Sequence, residues 1–326
     1  MDLPTHDDVR AAHARIAPHV VRTPMLRNAL LDQITGGTIL LKAEPLQHTG
    51  SFKLRGATNA IQQLTQAQRR AGVVTHSSGN HGQAVACAAA AVGAHATIFM
   101  PADAPRVKQE ATARWGGEIR HYDRLTADRE GIATDFATST GASLVPPFDH
   151  PHVIAGQGTL ALELAADAGA AGLVLDDLLV CTGGGGLIAG CALAMEGVSP
   201  ATRLYCVEPE GWDDTARSLA AGERVTNPPG GSGLCDALLA KTPGKLTFAV
   251  NRTHLAGGVA VSDAEVLAAI AFAFLHLKLV VEPGGAVCLA ALLANKFDAR
   301  GKVVGIVLSG GNVDPAVFTR ALSRGD

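Results

Sequence analysis

Apolar positions recur at helical spacing near the start of the chain, where Val9, Ala12, Ile16 and Val20 follow one another at intervals of three or four. Thr5-x-x-Asp8 ahead of them has the form of a capping box, and Pro24 ends the pattern, so a helix opens the chain. Beyond it the period changes. Short β-rich runs at 38–41, 73–76, 97–100 and 119–122 alternate with Ala-rich segments of helical length at 81–92 and 106–115. The second half repeats the rhythm with 177–182, 187–196 and 203–207, and closes on 303–308, an uninterrupted apolar run suited to the centre of a sheet. A second capping box, Ser262-x-x-Glu265, starts a helix with Val266, Ile270, Ala273 and Leu277 on one face.

Strands alternating with helices predict parallel βαβ units and an α/β fold of open, mostly parallel sheets, with ligands beyond the carboxyl ends of the strands. The apolar runs 85–94 and 266–275 are half the length of a bilayer span, which makes them core helices and argues against a membrane protein. Pro146-Pro147 and the turn-rich stretch 227–233 interrupt the pattern, but no linker divides the chain.

Composition narrows the function. The 326 residues carry 27 Lys+Arg against 30 Asp+Glu, a net charge of −3, with 47% hydrophobic and 17% charged residues. Disorder is excluded, and so is a nucleic-acid binder, for want of a basic footprint. A small-molecule partner remains. The acidic N-terminus, MDLPTHDDVR, does not resemble a signal peptide, so a cytoplasmic location is expected. Six cysteines with no CxxC pair read as buried reduced thiols. Glycine is abundant at 37 residues while aromatics make up only 4%, which points to backbone held close to a ligand.

Four segments carry candidate chemistry. In His48-Thr49-Gly50-Ser51-Phe52-Lys53, the lysine stands at the apparent start of a helix, after a small-residue turn. Most lysines are solvated surface groups; one held in a cleft can form a Schiff base with a carbonyl compound if desolvation or a cationic neighbour, such as Arg55, lowers its pKa. Ser77-Ser78-Gly79-Asn80-His81 lies between a strand and an Ala-rich helix. Asn or Ser would cap that helix, whose open N–H groups suit a carboxylate, and the Asn80 amide could donate to a phenolate or hydroxyl oxygen. Thr182-Gly183-Gly184-Gly185-Gly186-Leu187 places four glycines in a row between strand and helix. A tight turn uses one or two, and each further glycine costs about 1 kcal/mol relative to Ala, so a phosphate cradle is the better explanation. Leu308-Ser309-Gly310-Gly311-Asn312 ends the last apolar strand and places a neutral hydroxyl there. A competing reading takes Gly184-x-Gly186-x-x-Ala189 with Glu208 as a dinucleotide fingerprint of an NAD-dependent oxidoreductase, but it leaves Lys53 and Asn80 without a role.

Together and in this order, the four segments resemble the fold-type-II pyridoxal-phosphate enzymes, specifically the serine/threonine dehydratase and serine racemase family. The resemblance implies two open α/β/α domains of tryptophan-synthase β-subunit type: residues 1–71 and 150–326 form a large cofactor-binding domain, and 72–149 a small domain inserted in it. The cofactor, pyridoxal 5′-phosphate, lies in the cleft between them. By the same resemblance Lys53 forms the Schiff base with the cofactor, Gly183, Gly184, Gly185, Gly186 and Leu187 hold its phosphate, Asn80 bonds the ring 3′-oxygen, and Ser309 bonds the ring nitrogen. Phe52 packs near the ring, and Glu282 belongs to a matching Val281-Glu282-Pro283 segment. Ser77, Gly79 and His81 lie against the substrate carboxylate.

The activity implied is a lyase that removes water and ammonia from a 3-hydroxy amino acid such as serine, threonine or 3-hydroxyaspartate, leaving a 2-oxo acid. Lys53 takes the α-proton. The alternative is an amino acid racemase in which Ser78 serves as acid/base on the opposite face from Lys53; a catalytically silent ligand-binding relative is a further reading. Arg129 in Asp128-Arg129-Glu130 matches an Arg-Glu pair of racemase-like members and would bind a second carboxylate, as in 3-hydroxyaspartate; an exposed helix salt bridge is its simpler role. Glu208-Pro209-Glu210-Gly211-Trp212-Asp213-Asp214 resembles the family's cation loop, with Glu208, Asp214 and the Trp212 carbonyl as ligands for Mg2+, Mn2+ or Ca2+. One departure occurs at Cys235-Asp236-Ala237-Leu238, where the family usually reads Ala-Asp-Gly-Leu. No ACT-like regulatory extension follows residue 320, so feedback control is not expected, and the resemblance also implies a homodimer.

Overall fold

The opening capping box forms. In a computed structural model, which describes residues 3–77, 79–104, 106–123, 127–228 and 233–323, the Thr5 hydroxyl accepts from the Asp8 backbone N–H and the Asp8 carboxylate accepts from Thr5 N–H. The helix His6–Ile16 follows, with Val9, Ala12 and Ile16 buried.

The described residues form the strands β1 (Met25–Leu26), β2 (Thr38–Ala43), β3 (Val73–His76), β4 (Ala96–Pro101), β5 (Glu118–Tyr122), β6 (Ser143–Leu144), β7 (Asp177–Cys181), β8 (Arg203–Pro209), β9 (Leu255–Val261) and β10 (Val303–Leu308). They assemble into a six-stranded sheet of order β1-β2-β10-β7-β8-β9 and a four-stranded sheet of order β5-β4-β3-β6. Only β1 runs antiparallel to its neighbour. The apolar run 303–308 takes the central place its pattern predicts, with Val304 opposite both Ile39 and Asp177. Strands of the smaller sheet come from residues 73–144, and those of the larger sheet from either side of that stretch.

Alternate residues of one strand face different layers, as a pleated strand requires. Ile39 and Leu41 pack with the helices Asp263–Phe272 and Pro283–Leu293. Leu40, on the other face, packs with Pro151–Ala170 and Gly186–Val198. The helix Lys53–Gln62 uses Leu54, Ala57 and Ile61 to join a third core with the helix Asn80–Ala90 and the smaller sheet. No described helix is long and apolar enough to cross a membrane.

Two expectations change. The stretch 266–275 is not a continuous core helix: the α-helix ends at Phe272 and passes into a π turn, Ala273–Leu277, on which Phe274 and Leu275 are 40% and 52% exposed. Arg55 does not flank the Lys53 amine. It is fully buried, with bonds from Nε and Nη2 to Glu44 at 2.9 and 2.8 Å and from Nη1 and Nη2 to Glu163 at 2.8 and 2.9 Å. Lys42, also buried, donates to Glu163 at 2.6 Å and completes a neutral cluster of two cations and two carboxylates. The cysteines are free thiols, buried except for the partly exposed Cys87.

Candidate active site

Three of the four segments follow the carboxyl ends of β3, β7 and β10, and the fourth, the turn before Lys53, is bonded through its backbone to the end of β10. Ser51 bridges Gly310, and the Phe52 N–H donates to the Ser309 carbonyl at 3.0 Å, so the turn before Lys53 is fixed to the end of β10. Gly50 stands there at φ +69°, where a Cβ would lie 2.6 Å from the Asn312 amide oxygen, so only glycine fits. Lys53 begins its helix and donates from Nζ to the Pro147 carbonyl at 2.7 Å. Burial pulls its pKa down to about 8, opposed by the Glu282 carboxyl; its residual exposed surface faces the cleft.

Beyond β3, the helix Asn80–Ala90 starts without any side-chain cap, its N-cap being Gly79. This corrects the expectation of Asn or Ser capping: Asn80 is already helical and Ser77 accepts from the Gly79 N–H, at 3.1 Å. Side chains that would have capped the helix are thereby left to the cleft. Asn80 is oriented by its neighbours. Asn312 Nδ2 donates to the Thr49 carbonyl at 2.9 Å and to Asn80 Oδ1 at 2.8 Å, which turns the Asn80 NH2 group toward Glu282 and the cleft. His81 meets the Val145 carbonyl through Nε2 at 2.9 Å, so Nε2 carries the proton. Burial and then the nearby Lys53 charge hold its pKa at about 3, which keeps the ring neutral.

The glycine loop follows β7 and leads into the helix Gly186–Val198, with Gly185 as a left-handed N-cap. Among the described residues no protein group accepts from the N–H of Gly183, Gly184, Gly185 or Gly186. Four unpaired donors at a helix N-terminus suit a phosphate. The idea that packing needs no run of four glycines is nevertheless wrong. A Cβ on Gly183 would come within 3.0 Å of Leu238 Cα, one on Gly184 within 2.4 Å of the Phe148 ring, one on Gly185 within 2.8 Å of Asn251, and one on Gly186 within 2.9 Å of Phe148. The loop is tightly enclosed by protein as well as open to a ligand.

Every cofactor or substrate residue nominated from sequence and described in the structure lines one cleft, from Phe52 and Lys53 through Ser77, Gly79, Asn80, His81 and Arg129 to the glycine loop, Leu187, Glu282 and Ser309. Ser78 lies outside the described residues. Glu282 is buried, with Oε1 accepting from Asn80 and Oε2 without a partner, and burial raises its pKa to about 7. Ala237, the departure from the family pattern, lines the cleft and is accommodated by Gly284, where a Cβ would lie 3.3 Å from its methyl.

Several cleft residues were missed by the sequence reading. Lys108 crosses to Asp236 in an ion pair, with its stem over Gly79, and His76 and Phe148 complete the wall. None carries a local motif. Glu208, Trp212 and Asp214 sit apart from the cleft, between β8 and the helix Asp214–Ala221. Glu208 accepts from the N–H groups of Thr215 at 3.0 Å and Ala216 at 2.9 Å. Glu208 is fully buried and does not line the cleft beside the glycine loop, so it is not presented to a ribose there, which removes the structural basis of the dinucleotide reading. Asp214 accepts from Asn227 at 2.7 Å, and its other oxygen is buried without a partner.

A sheet pair with a lysine and an anion-seeking glycine loop in one cleft defines a cofactor enzyme, and residues 16–310 match the family model "Pyridoxal-phosphate dependent enzyme". The chain belongs to that family, of fold type II, and the nicotinamide alternative is set aside. It is similar to serine racemase of Schizosaccharomyces pombe, 41% identical over 99% of this chain and 98% of that one. It is equally similar to an L-threo-3-hydroxyaspartate ammonia-lyase of a Pseudomonas species, 43% identical over 96% and 97% of the two chains. The structure of maize serine racemase superposes with a TM-score of 0.92 at 38% identity, covering 99% of this chain and 98% of that chain.

The lowered Lys53 pKa makes a kinetic prediction. Attachment of pyridoxal phosphate to cofactor-free protein requires the neutral amine, whose fraction rises roughly tenfold between about pH 7 and pH 9 for a pKa near 8. The attachment rate, followed by absorbance, should rise by that factor and then level off. A rate still climbing beyond about pH 10 would place the amine at the ordinary lysine value.

Proposed function

We propose that the protein is a pyridoxal-phosphate-dependent ammonia-lyase acting on 3-hydroxyaspartate, which it converts to the corresponding 2-oxo diacid with release of ammonia. Arg129 carries this reading. It lines the cleft, pairs with no carboxylate among the described residues, and depresses the buried His76 nearby, whose pKa falls to about 4 through burial first and Arg129 second. An uncommitted guanidinium beside a substrate cleft suits a second carboxylate.

The remaining residues divide the work. When bound, the cofactor supplies an electron sink for the bond-breaking at the substrate α-carbon. The N–H groups of Gly183, Gly184, Gly185 and Gly186 would hold its phosphate, the Asn80 side-chain amide would donate to the ring oxygen, and the Ser309 hydroxyl would meet the ring nitrogen as a neutral partner. The Ser77 hydroxyl and the open backbone N–H groups at the uncapped helix start beside Gly79, that of His81 among them, would receive the α-carboxylate. Lys53 Nζ, neutral in a substantial fraction near pH 8, would take the α-proton, and the ammonium so formed would return that proton to the departing β-hydroxyl, which leaves as water. A racemase reading is supported by the likeness to serine racemases, with Ser78 as the acid/base on the far face. Chirality assays on serine and aspartate separate it from the lyase.

The loop of Glu208, Trp212 and Asp214 is also proposed as a site for Mg2+, Mn2+ or Ca2+, because the unpartnered buried Asp214 oxygen calls for a cation. Addition of Mg2+ or Ca2+ to chelator-treated protein should raise the melting temperature by about 2–4 °C, and Asp214→Asn should abolish the rise. No shift in the wild type would refute the site. For the substrate, Arg129→Ala should lower kcat/KM on 3-hydroxyaspartate roughly 10- to 100-fold while leaving serine within about threefold. Equal losses on both substrates would refute the carboxylate role.

A further inference from the structure

The glycine loop does not hold its own shape, and the group that fixes it lies outside the cleft. Gly184 presents its carbonyl away from the cleft to two donors, the Thr247 hydroxyl at 2.7 Å and the Gly244 N–H at 3.2 Å. In a trans peptide the N–H points opposite to the carbonyl of the same unit, so this bond turns the Gly185 N–H toward the cleft. Asn251 repeats the arrangement more weakly, donating to the Gly185 carbonyl at 3.4 Å, beside the helical bond from Ala189 N–H at 3.0 Å.

Thr247 is itself held firmly. It is fully buried in the first turn of the helix Lys245–His254. That turn is capped by Asp149, whose carboxylate accepts from the N–H groups of Lys245, Leu246 and Thr247 at 2.9, 2.8 and 3.2 Å. Its hydroxyl would lie 3.0 Å from a Cβ on Gly185, so the loop and the helix are in contact at the peptide in question.

We infer that Thr247 is a positioning residue for the phosphate seat: by holding the Gly184 carbonyl outward it aims the next backbone N–H at the cofactor phosphate. The inference rests on the glycine loop being that seat. Thr247 touches neither substrate nor the ring, and the effect is confined to the phosphate end of the cofactor.

The test compares pyridoxal phosphate with pyridoxal, which lacks the phosphate, for binding to cofactor-free protein by fluorescence titration. Thr247→Val keeps the shape and removes the hydroxyl. It should weaken pyridoxal phosphate roughly tenfold and leave pyridoxal unchanged, and Thr247→Ser should restore binding to within about threefold. Equal weakening of both ligands, or no weakening by Thr247→Val, would overturn the inference. If Thr247→Val does not fold, judged by its melting curve, Thr247→Ala against Thr247→Ser makes the same comparison. A wild-type protein that fails to prefer pyridoxal phosphate over pyridoxal would instead refute the loop as the phosphate seat.

Discussion

The Arg55 guanidinium is buried with two carboxylates around it, and the placement of Lys53 depends on that cluster. Glu44 follows β2, Glu163 belongs to the helix Pro151–Ala170, and Arg55 sits two residues beyond Lys53 on its own helix. Removing one partner of such a group leaves an uncompensated buried charge at a cost of about 3–5 kcal/mol, so the three elements cannot drift apart without a large penalty. Lys53 is therefore delivered to the cleft at the start of a helix that is locked from behind. Its amine is tuned by burial in front.

The front of the site depends on a short segment that has no motif. The Pro147 carbonyl accepts from Lys53, Phe148 covers Gly184 with its ring and Gly186 with its Cβ and backbone, and Asp149 caps the helix that supports the glycine loop. Three successive residues thus join the lysine, the glycine loop and the support behind it. On the other side, Asn312 ties the turn at Thr49 to Asn80 and thereby determines which end of the Asn80 amide enters the cleft. Chemistry and fold are coupled through backbone carbonyls and amides, whose directions are more rigid than those of long side chains.

This division explains what was legible in the residue order. Strand and helix alternation gave the architecture because β2, β3, β4, β7, β8 and β10 each bury apolar side chains in short runs bounded by turns; β5, with no fully buried side chain, is legible only by its place in the rhythm, and β9, with its paired glycines in LAGGVAV, and the two-residue β1 and β6 carry too little pattern to read. The four chemical segments were legible because each concentrates unusual residues locally. Thr247, Asn312, Lys108 and Phe148 were not, since each acts on a partner far along the chain, 63 residues away for Thr247 and Gly184 and 128 for Lys108 and Asp236. Adjacency also misled: residues two apart on a helix do not share a face, so Arg55 points into the core while Lys53 faces the cleft. The glycine run was singled out on the ground that packing needs no four glycines, and that ground is overturned, because Leu238, Phe148 and Asn251 leave no room for a Cβ at any of the four.

The central claim is that one particular lysine carries the cofactor, and the cleft contains a competitor in Lys108. Borohydride reduction of the holoenzyme followed by peptide mapping tests it directly. If Lys53 carries the cofactor, a single pyridoxyl label falls on Lys53 and is absent from Lys53→Ala protein. A label on Lys108, or undiminished labelling of the Lys53→Ala variant, would contradict it.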